Sequence, residues 1–232
     1  MKYLFIDASE NITHVQTGTE KEFSAKNIDT NRDFAAKITE ICDNMLKEAG
    51  WGKTDLTHLV VCTGPGSLTG LRVADGFLRT LAMVLNIPLI GIDLFKWSMQ
   101  TLADKNYNGE ARFVMPTLID KAFEVKCHLS NNPSLRAEAA AIQQEAWQSS
   151  KSGFITKPVL IEKKAIPSDT KTFGIRWSND AAERLDPTPD ALHKLILEDT
   201  NAAKTGIDEI LKVLPLYIIP SQAERNFKGG DK

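Results

Sequence analysis

Apolar positions along the first hundred residues predict five strands. Short, continuous apolar runs are typical of strands buried on both faces, whereas alternation of apolar and polar residues is typical of a half-buried strand. The runs at 57–63 and 88–93 are of the buried, parallel type, and residues 12–18 alternate. The five predicted strands are 3–8, 12–18, 20–26, 57–63 and 88–93.

Helical periodicity fills the intervals between these strands. Phe34, Ile38, Ile41 and Met45 recur at helical spacing, so a helix is predicted from a cap at Asp29 or Thr30 to residue 49, with Gly50 ending it. Two more helices are predicted at 68–85 and 94–105, with Asp93 as the cap of the latter. The order β-β-β-α-β-α-β predicts α/β architecture, because parallel strands need helical crossovers.

The remainder predicts a second, smaller α/β unit followed by helices. It comprises a hairpin of residues 112–120 and 123–130 turning at 120–122, a helix at 134–148, a loop at 149–158, strands at 159–166 and 171–177, and helical material from 188. The predicted division is an N-terminal lobe (1–104), a second lobe (105–187), a C-terminal helical segment with tail (188–220) and a frayed end (221–232).

Composition narrows the function classes. With 232 residues, 42% of them hydrophobic, the chain can form substantial cores, and its net charge of −2 gives no global attraction to nucleic acid or anionic membrane. The three cysteines form no CxxC pair, which disfavours a disulfide framework or zinc site. The opening apolar run is too short for a signal peptide, and no run reaches a membrane span, so a soluble, cytoplasmic protein is expected.

Residues 62–76, CTGPGSLTGLRVADG, form a glycine-rich connection between a predicted strand and helix. Such loops often bring backbone N–H groups close to an anion. The letters do not match a P-loop, since Leu71 stands where lysine is required, and no G-x-S-x-G elbow surrounds Ser67. A simple strand-to-helix turn capped by Ser67 or Thr69 is the structural alternative.

A dinucleotide-binding βαβ unit is another alternative. The segment from Gly64 to Asp93 has the order strand, glycine loop, helix, strand and terminal acid. Its glycine spacing is G-x-G-x-x-x-G rather than G-x-G-x-x-G, and Pro65 lies in the turn. A nicotinamide-dependent oxidoreductase is therefore the alternative function. A self-sufficient sugar or acetate kinase relative is a third hypothesis.

The phrase GPGSLTGLR at 64–72 closely resembles the GPGSFTGLR signature of the TsaB (YeaZ) family. Similar to that family, the first strand ends in LFIDAS, and Pro215-Leu216-Tyr217 lies near the C-terminus. The resemblance implies a two-lobed actin/Hsp70-like (ribonuclease H-like) fold, with mixed sheets flanked by helices. It also implies an accessory subunit without catalytic residues of its own, which acts in tRNA threonylcarbamoyladenosine formation.

The family resemblance implies its partners as well. They would be a TsaD-like catalytic paralogue, a TsaE-like ATPase, tRNA only through the complex, and a possible homodimer in isolation. ATP and metal would be bound by the partner proteins. In catalytic members of the superfold a glycine-containing hairpin cradles phosphate, but here the turn is Ala8-Ser9-Glu10-Asn11, so Asp7 is at most a remnant of a nucleotide cleft.

No metal site or catalytic constellation is predicted, since the four histidines are far apart and form no H-x-x-x-H pair. The partner surface is expected on the first two helices. Gly76 and the two arginines of the second helix lie on a side with no obvious need inside the molecule. The predicted partner-binding residues are Gly64, Pro65, Gly66, Ser67, Thr69, Gly70, Arg72, Gly76 and Arg79.

Overall fold

The computed structural model describes residues 1–30, 33–117, 121–130, 146–150, 153–163, 166, 170–177, 179–200 and 203–216. These residues form two mixed β-sheets flanked by helices, as predicted. We call the first sheet with its helices the first lobe, and the second sheet the second lobe.

The first lobe is built on a five-stranded sheet of order β3-β2-β1-β4-β5, in which β1, β4 and β5 are parallel. Helices α1 and α2 pack on one face of the sheet, while α3 packs on the other. The elements are β1 (Tyr3–Asp7), β2 (Ile12–Gly18), β3 (Phe23–Asp29), α1 (Phe34–Glu48), a short 3-10 helix (Lys53–Asp55), β4 (His58–Gly64), α2 (Leu68–Leu85), β5 (Leu89–Asp93) and α3 (Leu94–Asp104).

β3 lies three residues later than predicted, and two further details of this lobe differ from the prediction. β2 is buried along almost its whole length rather than on alternate residues, because Val15 packs with the α1 side and His14 packs against Trp97 on the other side. Neither Asp29 nor Thr30 caps α1, which begins at Phe34. Instead, the Thr30 hydroxyl donates to the Asn11 carbonyl at 3.0 Å, so this side chain fixes the neighbouring turn.

The second sheet has the order β12-β11-β6-β7-β9-β8, with β10 paired to β7. Within it β11 runs parallel to β6, whereas β6 and β7 form an antiparallel hairpin. The strands are β6 (Gly109–Pro116), β7 (Lys121–Leu129), β8 (Ala146–Ser150), β9 (Gly153–Thr156), β10 (Val159–Glu162), β11 (Thr172–Ile175) and β12 (Glu183–Leu185).

Here three predictions were wrong. Residues 146–150 are a strand rather than the end of a helix and the start of a loop, and 153–156 are a strand rather than a loop. Sheet pairing explains both strands: β9 pairs with β7, where the fully buried Ile155 lies opposite Cys127, and β8 pairs with β9, so sheet formation overrides local propensity. The hairpin turns earlier than 120–122, since Pro116 already pairs with Ala122. Residues 134–145 lie outside the described part.

The chain then returns to the first lobe through α4 (Pro189–Thr200) and α5 (Ile207–Lys212). α4 packs against α3 and β5, and α5 packs against α2. The predicted frayed end, 221–232, and Tyr217 of the Pro-Leu-Tyr phrase lie outside the described residues. Every helix that the described residues contain is too short or too polar to cross a bilayer.

Candidate functional site

The glycine loop, which we define as Gly64–Gly70, joins β4 to α2. Gly64 is buried with φ +97°, a conformation that favours glycine, and its peptide bond to Pro65 is cis. Ser67 caps α2 as predicted, because its hydroxyl accepts a hydrogen bond from the Gly70 N–H at 3.3 Å. The loop therefore directs the start of α2.

The glycine loop packs against another turn of the same chain. The 8–11 turn (Ala8–Asn11) lies against it, and the Ser67 N–H donates to the Ser9 carbonyl at 2.7 Å. A Cβ on Gly66 would lie 2.5 Å from the Ser9 carbonyl oxygen, and one on Gly70 would lie 2.0 Å from that of Ala8. Gly66 and Gly70 therefore approach the backbone of another segment too closely to carry a side chain.

Asp7, at the end of β1, forms an ion pair between the lobes. Its side chain is fully buried, and Oδ2 accepts a hydrogen bond from Nη2 of Arg176 in the second lobe at 2.7 Å. Its other oxygen accepts the Ser9 N–H at 2.9 Å. Burial disfavours the charged carboxylate, but Arg176 and the bonds from Ser9 outweigh it, so the pKa of Asp7 is lowered.

Arg176 was missed by the sequence reasoning, although it makes most of the polar contacts at this point. Its Nη1 donates to the Ser9 hydroxyl at 3.1 Å and lies 3.9 Å from a Glu10 carboxylate oxygen. Its guanidinium carbon lies 5.5 Å from the centre of the Trp97 ring. Arg176 is 169 residues from Asp7, and no local motif surrounds it, so only the tertiary structure reveals the pair.

A cleft of about 390 Å³ opens between the lobes beside this pair. Arg184 and Asp186 line it and form a bidentate ion pair, and the Arg184 Nη1 donates to the Arg176 carbonyl at 2.8 Å. The carboxylates and guanidinium groups of the cleft are thus largely paired with one another. No group of three His, Cys, Asp or Glu side chains suited to a metal ion is found among the described residues.

The exposed side of α2 carries little charge. We define the α2 stripe as Thr69, Arg72, Gly76, Thr80 and Met83, which are exposed and recur every three or four residues. Arg72 is its single charged member, and Val84 at its edge is 74% exposed. Nothing lies within 4 Å of the place where a Gly76 Cβ would be. A cavity of about 300 Å³ lies at the start of this stripe, lined by Phe34, Thr69, Val73 and the 8–11 turn.

The expectation that both arginines of α2 lack an internal role is wrong for Arg79. This side chain is only 14% exposed and forms an ion pair with Asp75, with Nη2 to Oδ1 at 2.8 Å. It also donates to the Ile210 carbonyl at 3.0 Å and to the Val213 carbonyl, both at the end of α5. Arg79 therefore fastens α5 to α2.

Asp93 caps α3, as predicted. Its Oδ1 accepts hydrogen bonds from the N–H groups of Phe95 at 3.0 Å and Lys96 at 2.9 Å. In the nicotinamide alternative, this carboxylate would face a ribose and the glycine loop a pyrophosphate. Asp93 is instead engaged with α3, and Gly66 and Gly70 lie against the 8–11 turn. The geometry of these residues does not favour a dinucleotide.

The sequence of this chain is similar to one protein family and to TsaB proteins of two bacteria. Residues 27–117 match the family described as "TsaD: tRNA N6-adenosine threonylcarbamoyltransferase". The TsaB biosynthesis protein of Escherichia coli K12 is 23% identical over 181 residues, which are 76% of this chain and 72% of that protein. TsaB of Bacillus subtilis is 31% identical over 72 residues, covering 31% of this chain and 30% of that protein.

A solved structure has the same fold. The structure of YeaZ from Pseudomonas aeruginosa is similar with a TM-score of 0.69 at 17% identity, and the match covers 94% of this chain and 99% of that one. A transferase of Clostridioides difficile, described as a tRNA N6-adenosine threonylcarbamoyltransferase, matches more locally. It is 32% identical over 84 residues, which are 36% of this chain and 25% of that protein.

Proposed function

We propose that this chain, which is similar to the TsaB (YeaZ) proteins, serves tRNA threonylcarbamoyladenosine biosynthesis as an accessory subunit without catalysis of its own. Participation in this pathway is supported by the similarity to the TsaB proteins of Escherichia coli and Bacillus subtilis. The finer proposal is that the chain binds a TsaD-like enzyme and activates it.

The α2 stripe is the observation that carries this proposal. An exposed helix face in a monomer is normally rich in charged residues, whereas this stripe combines Arg72 and Met83 with small or uncharged residues. Arginine and methionine are enriched in protein interfaces, and the cores of interfaces are poor in other charges. Gly76 lets the backbone of a partner helix approach closely.

We further propose that ATP and metal are bound by the partner proteins, the TsaD-like enzyme and the TsaE-like ATPase. The Asp7 carboxylate supports this, because Arg176 already neutralises it and the 8–11 turn occupies the glycine loop. tRNA would then be contacted only through the complex. In isolation the same α2 stripe would support a homodimer.

A pull-down of the TsaD-like protein from the same organism tests the proposal. Gly76→Glu adds bulk and a charge to the centre of the contact and is expected to abolish binding. Arg72→Ala is expected to weaken binding about 30-fold, since truncation of an interface arginine commonly costs about 2 kcal/mol.

Lys171→Ala is the matched control, because this exposed side chain lies in the second lobe, away from α2, and its ion pair with Glu183 is at the surface. It should leave binding unchanged. Binding by Gly76→Glu equal to that of the parent, with both proteins folded, would place the interface elsewhere.

A further inference from the structure

We propose that Arg176 is a positioning residue for the partner-binding surface, connecting the second lobe to the start of α2 through the 8–11 turn. The predicted effect on partner binding rests on the proposed function. The predicted effect on the glycine loop can be measured on the chain alone. The side-chain hydrogen bonds of Arg176 go to Asp7 and Ser9, so its effect on binding would be transmitted through the turn.

The first step of the connection lies at the lobe boundary. Arg176 has φ +54°, and its backbone is held by two bonds within the second lobe: its N–H donates to the Leu185 carbonyl at 2.9 Å, and its carbonyl accepts from Arg184. The side chain is thereby directed out of its own lobe. Its two terminal nitrogens reach Asp7 and Ser9 simultaneously.

Ser9 carries the second step. Its N–H binds Asp7, its hydroxyl binds Arg176 and its carbonyl accepts the Ser67 N–H. Gly66 has no room for a side chain against Ser9, so the turn and the loop cannot slide past one another freely. A displacement of Ser9 therefore moves Ser67, the cap of α2.

The consequence is a dependence of the loop on the arrangement of the lobes. When Arg176 is seated on Asp7 and Ser9, the turn fixes the glycine loop and the first turn of α2, where Thr69 begins the stripe. When the lobes separate and the guanidinium withdraws, Ser9 loses one of its three bonds and Asp7 loses its counterion. By the reciprocity of linked equilibria, a partner that binds the α2 stripe favours the arrangement in which Arg176 contacts Asp7 and Ser9.

Hydrogen exchange of the intact chain tests this without a partner. The variant Asp7→Asn/Arg176→Met removes both charges, so that no buried charge is left unpaired. We expect it to fold and to exchange the Ser67 and Gly70 amides about tenfold faster than the parent, because local opening becomes easier. Amides of β6 and β7 should be unaffected.

The matched control is Arg112→Met/Glu124→Gln. It neutralises another part-buried pair, 3.2 Å apart within the second lobe, which is remote from the turn. Exchange at Ser67 and Gly70 should not change in this control. An Asp7→Asn/Arg176→Met protein that is folded, with exchange at Ser67 equal to that of the parent, would overturn the proposal.

Arg176→Lys provides a second route should the double variant unfold. Lysine retains the charge for Asp7 but lacks the fork that also reaches Ser9, so exchange at Ser67 should rise by a smaller factor. Unchanged exchange in this variant would equally overturn the proposal.

Binding separates this inference from the proposed function. If the parent does not bind the TsaD-like protein, the proposed function fails while the exchange result still decides the positioning role. If the parent binds, the folded Asp7→Asn/Arg176→Met variant should bind about tenfold more weakly, and the Arg112→Met/Glu124→Gln control like the parent. Equal binding by all three would overturn the role of Arg176 at the partner surface.

Discussion

Asp7 illustrates at the residue scale how a carboxylate is fixed in a buried position. Arg176 neutralises its charge, and each of its two oxygens accepts a hydrogen bond, one from Arg176 and one from Ser9. Breaking such a pair from one side leaves a buried charge, which typically costs about 3–5 kcal/mol. Arg176→Met alone should therefore destabilise the fold by that amount, measured by urea unfolding, and more than Asp7→Asn/Arg176→Met does. Equal stability of the two variants would contradict the pairing.

The same pair predicts a pH dependence. Because the folded-state pKa of Asp7 is lowered, its stabilisation is present above the unfolded value of about 3.9 and is lost as the pH falls through the folded value. The unfolding free energy of the parent minus that of Asp7→Asn/Arg176→Met should be constant from pH 7 to about 5 and decrease below about pH 4. A difference that grows on acidification would contradict this assignment.

Alanine substitutions at two glycines of α2 are expected to have opposite effects on the stability of the fold. Gly70→Ala would place its Cβ 2.0 Å from the Ala8 carbonyl oxygen and should destabilise the fold by about 1–3 kcal/mol. The Cβ of Gly76→Ala has open space around it, so this substitution should stabilise the helix by about 0.5–1 kcal/mol. Thermal unfolding of both variants checks this, and a melting temperature of Gly70→Ala at or above that of the parent would refute the packing described for the turn.

At the element scale, α2 has three different sides. Leu71, Ala74, Leu78 and Ala82 are buried against the sheet, Arg79 holds α5, and the stripe remains exposed. Arg79→Ala should leave two carbonyls of α5 without this donor and Asp75 without its partner. We expect a loss of about 1–3 kcal/mol and earlier proteolytic cleavage near residues 207–213, measured by limited proteolysis. Resistance equal to that of the parent would show that α5 does not depend on Arg79.

The elements that the sequence predicted well are those whose own pattern determines them. The α2 helix has a serine cap and a regular apolar face, and β4 and β5 are continuous apolar runs. β8 and β9 were mispredicted because sheet pairing decides their structure, β9 with β7 and β8 with β9, and local propensity does not encode that pairing. The Asp7–Arg176 pair could not be predicted from the sequence for the same reason, since the two residues come into contact only when the two lobes pack together.

At the scale of the whole molecule, the return of α4 and α5 to the first lobe adds further ties across the chain. The Tyr3 hydroxyl bonds the His193 ring nitrogen at 2.8 Å and accepts from Gln16 at 2.7 Å, while the Trp97 ring N–H donates to the Thr188 carbonyl at 2.7 Å. The bonds to His193 and Thr188 join α4 and the residue before it to the first lobe, and Trp97 also lines the cleft between the lobes. This arrangement presents the α2 stripe on the outside, opposite the buried sheet face.

The proposed accessory role is tested most directly by reconstituted modification of tRNA. The TsaD-like enzyme, the TsaE-like ATPase and a source of threonylcarbamoyl groups are incubated with unmodified tRNA, with and without this chain, and threonylcarbamoyladenosine is quantified by mass spectrometry. Product is expected only when the chain is present, none from the chain alone, and a strongly reduced yield with Gly76→Glu but not with Lys171→Ala. The same yield with and without the chain would contradict the accessory role.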